Sequence, residues 1–260
     1  MEPEEFTRLY ALEETFWWFE GMRKITGALL DPVCPRGIDR TILDAGCGTG
    51  WNVGWLQRYA GGRGRVVGID IDPVAVELAR TRHTDDVFRA SVLDLPFADG
   101  TFDLVTSFDV LPQLAGAGSD ELAMREMHRV LRVGGVAFVR AAAYEALRSS
   151  HDEALGTRRR YRLSTLAAGM SRAGFDVARS TYANTLLVPV AAFHRLMLKR
   201  VGLATPGSDV RPLPPRLARL EGVLEAILGL EARVLAREYV RFPFGLSAVC
   251  VARKAPAART

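Results

Sequence analysis

A chain of 260 residues is long enough to bury a full core, and a hydrophobic fraction of 48% beside 25% charged residues is that of a globular protein. The formal net charge of +4 is mild, and all but three of the 34 basic residues (Lys24, Lys199 and Lys254) are arginine. No basic, aromatic-laced nucleic-acid motif accompanies that bias, so nucleic acid is not expected as a partner.

Cys34, Cys47 and Cys250 are odd in number and far apart, with no metal-ligand spacing, so neither a disulfide framework nor a metal is expected. The acidic start MEPEEF lacks an apolar signal core, and no stretch is long enough to span a bilayer. A reduced cytoplasm is the expected compartment.

Residues 1–37 are rich in aromatics (Phe6, Tyr10, Phe16, Trp17, Trp18, Phe19) at spacings that predict helix. They read either as helices packed on a sheet edge or as a lid. At Thr41–Gly50, TILDAGCGTG, a run of strand formers enters three alternating glycines, and a helical pattern follows from Trp51. Strand, glycine turn and helix N-terminus together make a ligand seat, because the free N–H groups of the helix face the turn. A second buried strand, VVGIDIDP (66–73), ends in acids about twenty residues on, where nucleotide-binding folds place a ribose-binding carboxylate. Asp72 before Pro73 predicts a helix start. Strands follow at 86–90, 102–108 and 136–141, with a helix from Ser119 or Asp120 that Gly134-Gly135 stops. Ser164 is expected to cap a helix running to Ala173, and strands at 175–182 and 246–252 close the list. Between these last two lies an insertion (185–240) of two helical patterns with a proline-rich joint at Pro206, Pro212, Pro214 and Pro215.

The turn D-A-G-C-G-T-G with Asp70, then VLDLPFADGTFDLVTSFDVLPQL and REMHRVLRVGGVAFV, resembles class I S-adenosylmethionine-dependent methyltransferases over residues 38–142. The resemblance implies a doubly wound α/β fold whose seven-stranded sheet is mainly parallel, with the last strand antiparallel. An N-terminal helical lid (1–37) would precede a methyltransferase domain (38–260). It implies S-adenosylmethionine as methyl donor, S-adenosylhomocysteine as product and no metal. Transfer of a methyl group is an in-line displacement, so donor and acceptor must be held and aimed.

By the same resemblance Gly46 and Gly48 let the backbone approach the donor, with Ala45 and Cys47 in the same turn. Asp44 helps hold its ammonium end, Asp70 binds the ribose, and Ile71 flanks the adenine. Asp94 accepts the adenine amino group beside the Leu95 N–H, while Ser107 and Phe108 lie near the sulfonium. On the acceptor side the expectation falls on Tyr10, Trp17, Trp18, Arg23, Leu111, Tyr144 and His151, with His151 as the candidate proton acceptor beside Asp152 and Glu153. A small, largely apolar or aromatic acceptor of secondary-metabolite type fits these walls. Oxygen, nitrogen and carbon acceptors, an indole-like carbon among them, all stay open. Two other readings stand beside it. One is a membrane-surface lipid or quinone methyltransferase, with Leu186–Val201 as an interfacial helix. The other is a non-catalytic S-adenosylmethionine-binding partner protein. The apolar stripe Leu217–Leu235 offers a dimer contact, leaving monomer and homodimer both open.

Overall fold

The structure, a computed structural model, describes residues 3–82, 86–189, 213 and 215–256. Two N-terminal helices, α1 (Pro3–Leu12) and α2 (Trp17–Leu30), precede an alternation of strands and helices. The strands are β1 (Thr41–Ala45), β2 (Arg65–Asp70), β3 (Val87–Arg89), β4 (Phe102–Phe108), β5 (Leu131–Ala142), β6 (Phe175–Ala183) and β7 (Ser247–Lys254). Between them run α3 (Trp51–Leu56), α4 (Pro73–Thr81), α5 (Ser119–Val130), α6 (Ser150–Ala154), α7 (Leu163–Arg172) and α8 (Arg219–Leu235). They form one seven-stranded sheet of order β3-β2-β1-β4-β5-β7-β6, in which only β7 is antiparallel to its neighbours. This is the doubly wound sheet expected from the chain.

Strands buried on both faces need helices on both. Val105, Ala137 and Val139 pack with α5 and α7, whereas Ile42, Val66, Leu104 and Phe138 pack with α2, α3, α4 and α8. The order reverses between β1 and β4, whose crossovers leave in opposite directions, so the carboxyl ends of these strands border the crevice where such folds bind ligands.

Several local expectations are corrected. Gly134-Gly135 does not stop a helix: α5 ends at Val130, and the glycines sit in an irregularity of β5, where the pairing jumps from Phe102↔Leu131 to Leu104↔Val136. Ser164 lies inside α7; Arg162 occupies the cap, and its N–H donates to Thr165 Oγ1. The Asp72 cap holds, its carboxylate accepting from Val74 N at 2.9 Å. Most of the insertion's first helical pattern and of its joint, residues 190–212 and 214, lies outside the described residues, and with it most of the expected interfacial helix Leu186–Val201, whereas Pro215 opens a short 3-10 turn (Pro215–Leu217). No described helix is long and apolar enough to cross a membrane.

α2 is a core helix rather than a detached cover: Met22, Ile25, Leu29 and Leu30 are buried, and Leu228 and Ala232 of α8 share the same cluster. The crossing of α2 and α8 closes over Gly21, where a Cβ would meet Leu228 Cδ1 at 2.3 Å and Leu228 Cβ at 2.6 Å. Because Leu228 Cβ cannot rotate away, this overlap outweighs the helix propensity that alanine gains. Gly21→Ala is expected to destabilise the protein by about 1–2 kcal/mol, read by denaturant unfolding; unchanged stability would show that the two helices separate easily. Part of the apolar surface here stays uncovered, Leu220, Val223 and Leu230 on α8 and Leu217 just before it remaining exposed.

Candidate active site

The carboxyl ends of β1, β2 and β4, the loops after β5 and β6, and helices α1, α2 and α6 enclose one cavity of about 690 Å³. Its donor end is the glycine turn. The N–H groups of Gly46 and Cys47 both donate to Ile69 O, tying the turn to β2. Gly46 (φ +87°) is required by packing, since a Cβ there would lie 2.2 Å from Val110 Cγ2. Gly48 (φ +54°) is different: nothing lies within 4 Å of its Cβ position, and the residue lines the cavity.

Asp70 takes the Gly48 N–H on Oδ2 (2.9 Å) and the Asp72 N–H on Oδ1 (3.0 Å), and burial raises its pKa. Ile71, 64% exposed, lies beside it on the wall. Asp44 is fully buried at the end of β1. Its Oδ1 accepts from Thr106 Oγ1 at 2.7 Å, whereas its Oδ2 has no partner. Burial, with the neighbouring Asp70 charge adding to it, pushes the Asp44 pKa from 3.8 to about 7. Open space at Gly48 and an acid on the rim suit the backbone-facing and ribose parts of S-adenosylmethionine, whereas Asp44, expected at the ammonium end, stands behind the turn and off the cavity wall.

The remaining donor-side expectations divide. Cys47 lines the cavity, while Ala45 packs in the core behind it. Asp94 is exposed and off the wall, and the Leu95 N–H is already given to Glu126 Oε2 at 2.8 Å. The rim segment is Ala90–Val92, because β3 ends at Arg89 and Ala90 N still pairs with Asp70 O. Phe108 lines the cavity; Ser107 is fully buried off it, its hydroxyl unpaired.

On the acceptor side Trp17, Trp18 and His151 all line the cavity. Tyr10 does not: its ring lies under the Arg82 guanidinium (4.2 Å), and its hydroxyl accepts from Thr81 Oγ1. Arg23 reaches the wall, and three of its N–H groups donate to Glu13 O (2.8 Å), Glu14 O and Glu20 Oε1 (2.7 Å), closing the C-terminus of α1 onto α2. Leu111 is fully buried core, with Val110, Pro112 and Gln113 facing the cavity instead. Tyr144 stacks on Tyr182 (5.1 Å) away from the wall. Asp152 follows His151 in the chain and is coupled to it electrostatically. Its carboxylate is held by the Arg160 fork (2.7 and 3.0 Å) and by Ser149 N, with both side chains almost fully buried. Burial alone would raise its pKa, but these partners hold it below the usual value.

Residues the sequence reading passed over complete the walls. Glu13 accepts from Thr49 Oγ1, lies 3.6 Å from Arg82, and joins α1 to the glycine turn. Burial raises its pKa against the opposing pull of that hydrogen bond and of Arg82. Arg140, opposite Phe108 in the β4–β5 register, pairs with Asp109 Oδ2 (2.7 Å) and lies over the rings of Trp18 (5.4 Å) and Phe108 (5.1 Å). A lone arginine inside the apolar run Val136–Ala142 was the available signal. Asp109 (φ +59°) and Asn184 (φ +59°) line the cavity with left-handed backbones, which non-glycine residues adopt mainly where surroundings enforce them.

Residues 43–139 match the model of a methyltransferase domain family. A protein of Mycolicibacterium smegmatis named as a probable S-adenosylmethionine-dependent methyltransferase is 28% identical over 169 residues, 64% of this chain and 62% of its own. The malonyl-[acyl-carrier protein] O-methyltransferase of Erwinia billingiae is 31% identical over 116 residues, 44% of each chain. The chain thus spans less than two thirds of the length of these curated relatives. The same fold recurs in the complex between the Haloferax volcanii Trm112 methyltransferase activator and a methyltransferase, at a TM-score of 0.61 and 20% identity. That match covers 99% of this chain and 97% of the other. The architecture is therefore that of the class I methyltransferases. Residues 43–139 are the stretch similar to that methyltransferase domain, and the fold around them is the one those enzymes share.

Asp70→Ala is expected to weaken S-adenosylhomocysteine binding by about 2–4 kcal/mol, from the loss of charge-assisted hydrogen bonds to the ribose. Because Asp70 also holds Gly48 N and Asp72 N, some loss of stability should accompany it. Calorimetric titration decides, and unchanged affinity in a folded variant would remove Asp70 from the donor site.

Proposed function

We propose that the protein transfers a methyl group from S-adenosylmethionine to a small, largely apolar or aromatic acceptor. The observation carrying this reading is that the glycine turn with Asp70 and the aromatic walls Trp17, Trp18 and Phe108 belong to one continuous cavity. When bound, S-adenosylmethionine supplies an electrophilic methyl group. Gly48 and Asp70 hold the donor end, with Asp44 behind them. Trp17, Trp18 and Phe108 give the acceptor an apolar bed, and Arg140, neutralised by Asp109, closes that bed without offering a free charge. α1 acts as the cover, latched by the Glu13–Thr49 hydrogen bond and the Arg82–Glu13 pair, and keeps water out.

His151 is the candidate to take a proton from a hydroxyl or amine acceptor. Incubation with methyl-labelled S-adenosylmethionine and a panel of hydroxylated and nitrogen-containing aromatic compounds tests the reading. No labelled product, together with undetectable S-adenosylhomocysteine binding, would overturn it. His151→Ala should then keep donor affinity and lower turnover at least tenfold. Full activity of that variant from pH 6 to 9 would take the proton-accepting role away from His151.

A further inference from the structure

The cavity runs along the carboxyl edge of the sheet well past the donor end, and at its far end stands Asn184, directly after β6. It is 2% exposed and lines the cavity, and its Oδ1 is shielded from solvent without any hydrogen-bond partner. A buried amide oxygen left unpaired is a cost that folding ordinarily avoids, which marks the position for a ligand. Nor is the residue on a loose loop. Its backbone is held at φ +59°, and its carbonyl accepts from Leu246 N. The next two N–H groups, of Thr185 and Leu186, donate to Glu231 Oε2 at 2.8 and 3.0 Å, from a glutamate fully buried on α8. The Thr185 hydroxyl adds a hydrogen bond to Phe244 O at 2.6 Å. Asn184 is thus presented on a braced support.

Sheet order gives the distance. From β4, whose end carries Phe108, the chain order across the sheet is β5, β7 and then β6. Three spacings of about 4.8 Å put Asn184 roughly 14 Å from the Phe108 end. The wall between includes Trp17, Trp18, Leu187 and Leu224, and the arginines on it are already paired, Arg140 with Asp109 and Arg160 with Asp152.

We infer that Asn184 determines acceptor specificity by accepting, on Oδ1, a hydrogen bond from a hydroxyl or N–H group at the far end of an elongated acceptor with an apolar middle. The near end of that acceptor rests on the methyl-transfer reading above; the far end rests on Asn184 itself. On Oδ1 itself a carboxylate, phosphate, ether or ester end gains nothing, since none of them donates a hydrogen.

Two probes of equal size separate donation from mere fit: 1-octanol, which can donate, and 1-methoxyheptane, which cannot. Their dissociation constants are measured by calorimetry with S-adenosylhomocysteine present and again with it absent. The wild-type protein should prefer 1-octanol about fivefold, the effect of one neutral hydrogen bond. Asn184→Gly, which keeps the left-handed backbone, should bring the two within twofold, whereas Asn184→Asp, which keeps an accepting oxygen, should retain the preference. Circular dichroism confirms that both variants fold. Wild-type protein that binds neither probe or shows no preference, or Asn184→Gly that keeps it, overturns the inference. Failure to bind S-adenosylhomocysteine would overturn the methyl-donor reading instead, and the comparison made in its absence would still judge Asn184.

Discussion

Gly48→Val is expected to abolish S-adenosylhomocysteine binding while leaving a folded protein. At Gly48 no atom beyond the chain neighbours lies within 4 Å of a Cβ position, and the residue lines the cavity, so a valine side chain would project into the space the ligand needs. The backbone there has φ +54°, which a β-branched residue tolerates poorly, so roughly 1–3 kcal/mol of stability should go as well. The affinity loss should exceed about 100-fold, or about 2.7 kcal/mol, because steric occupation cannot be relieved by a rotamer change. Gly46→Ala, two residues earlier, should fail for the other reason. Its Cβ would overlap Val110 Cγ2, so its main deficit is expected in thermal stability. Calorimetry and thermal unfolding on both variants separate these effects. Normal ligand binding by folded Gly48→Val would show that the turn serves packing alone.

The parts of this molecule legible in its sequence are those with a strong local period or a forced backbone. The glycine turn, the Asp72-Pro73 helix start and the run of buried strands all carried their own signal, and the mainly parallel seven-stranded sheet with its antiparallel last strand followed from the resemblance they support. The site residues were less legible, and each miss has a cause. Asp94 was chosen as the acid preceding Leu95-Pro96-Phe97, yet the rim is set by where β3 stops. A strand of three residues gives too little alternation to fix that point. Tyr10 depends on the phase of a short helix, and a small error in phase turns a side chain from the cavity to a neighbouring helix. Tyr144, expected on the acceptor side, stacks instead on Tyr182, a long-range contact that spacing does not encode. Asn184 has no marker in sequence at all. Its importance comes from an unpaired oxygen and from a glutamate 47 positions further along the chain.

Donor affinity is expected to rise with pH through about 7, and Asp44 is the reason. In the free protein this carboxyl is fully buried with one oxygen unpaired, and its pKa stands near 7, against an ordinary 3.8. The native state therefore holds the proton more tightly than the unfolded chain does. The contribution of this group to stability is fully present below about pH 4 and is lost as pH rises to about 7. A cationic ammonium end needs the ionised form, so binding below pH 7 must expel the proton first. At pH 6 titration with S-adenosylhomocysteine should release close to one proton, seen as different apparent heats in two buffers of unequal ionisation enthalpy. At pH 8 the release should vanish. Asp44→Asn, which keeps the shape and the Thr106 contact but cannot ionise, should bind about 10- to 100-fold more weakly than wild type at pH 8. At pH 6 the difference should narrow by about tenfold, because there the wild type must first lose its proton. Asp44→Asn retaining the wild-type pH slope would show that another group carries the proton linkage, and wild-type binding that does not vary between pH 6 and 8 would show that Asp44 lies too far from the ammonium to matter.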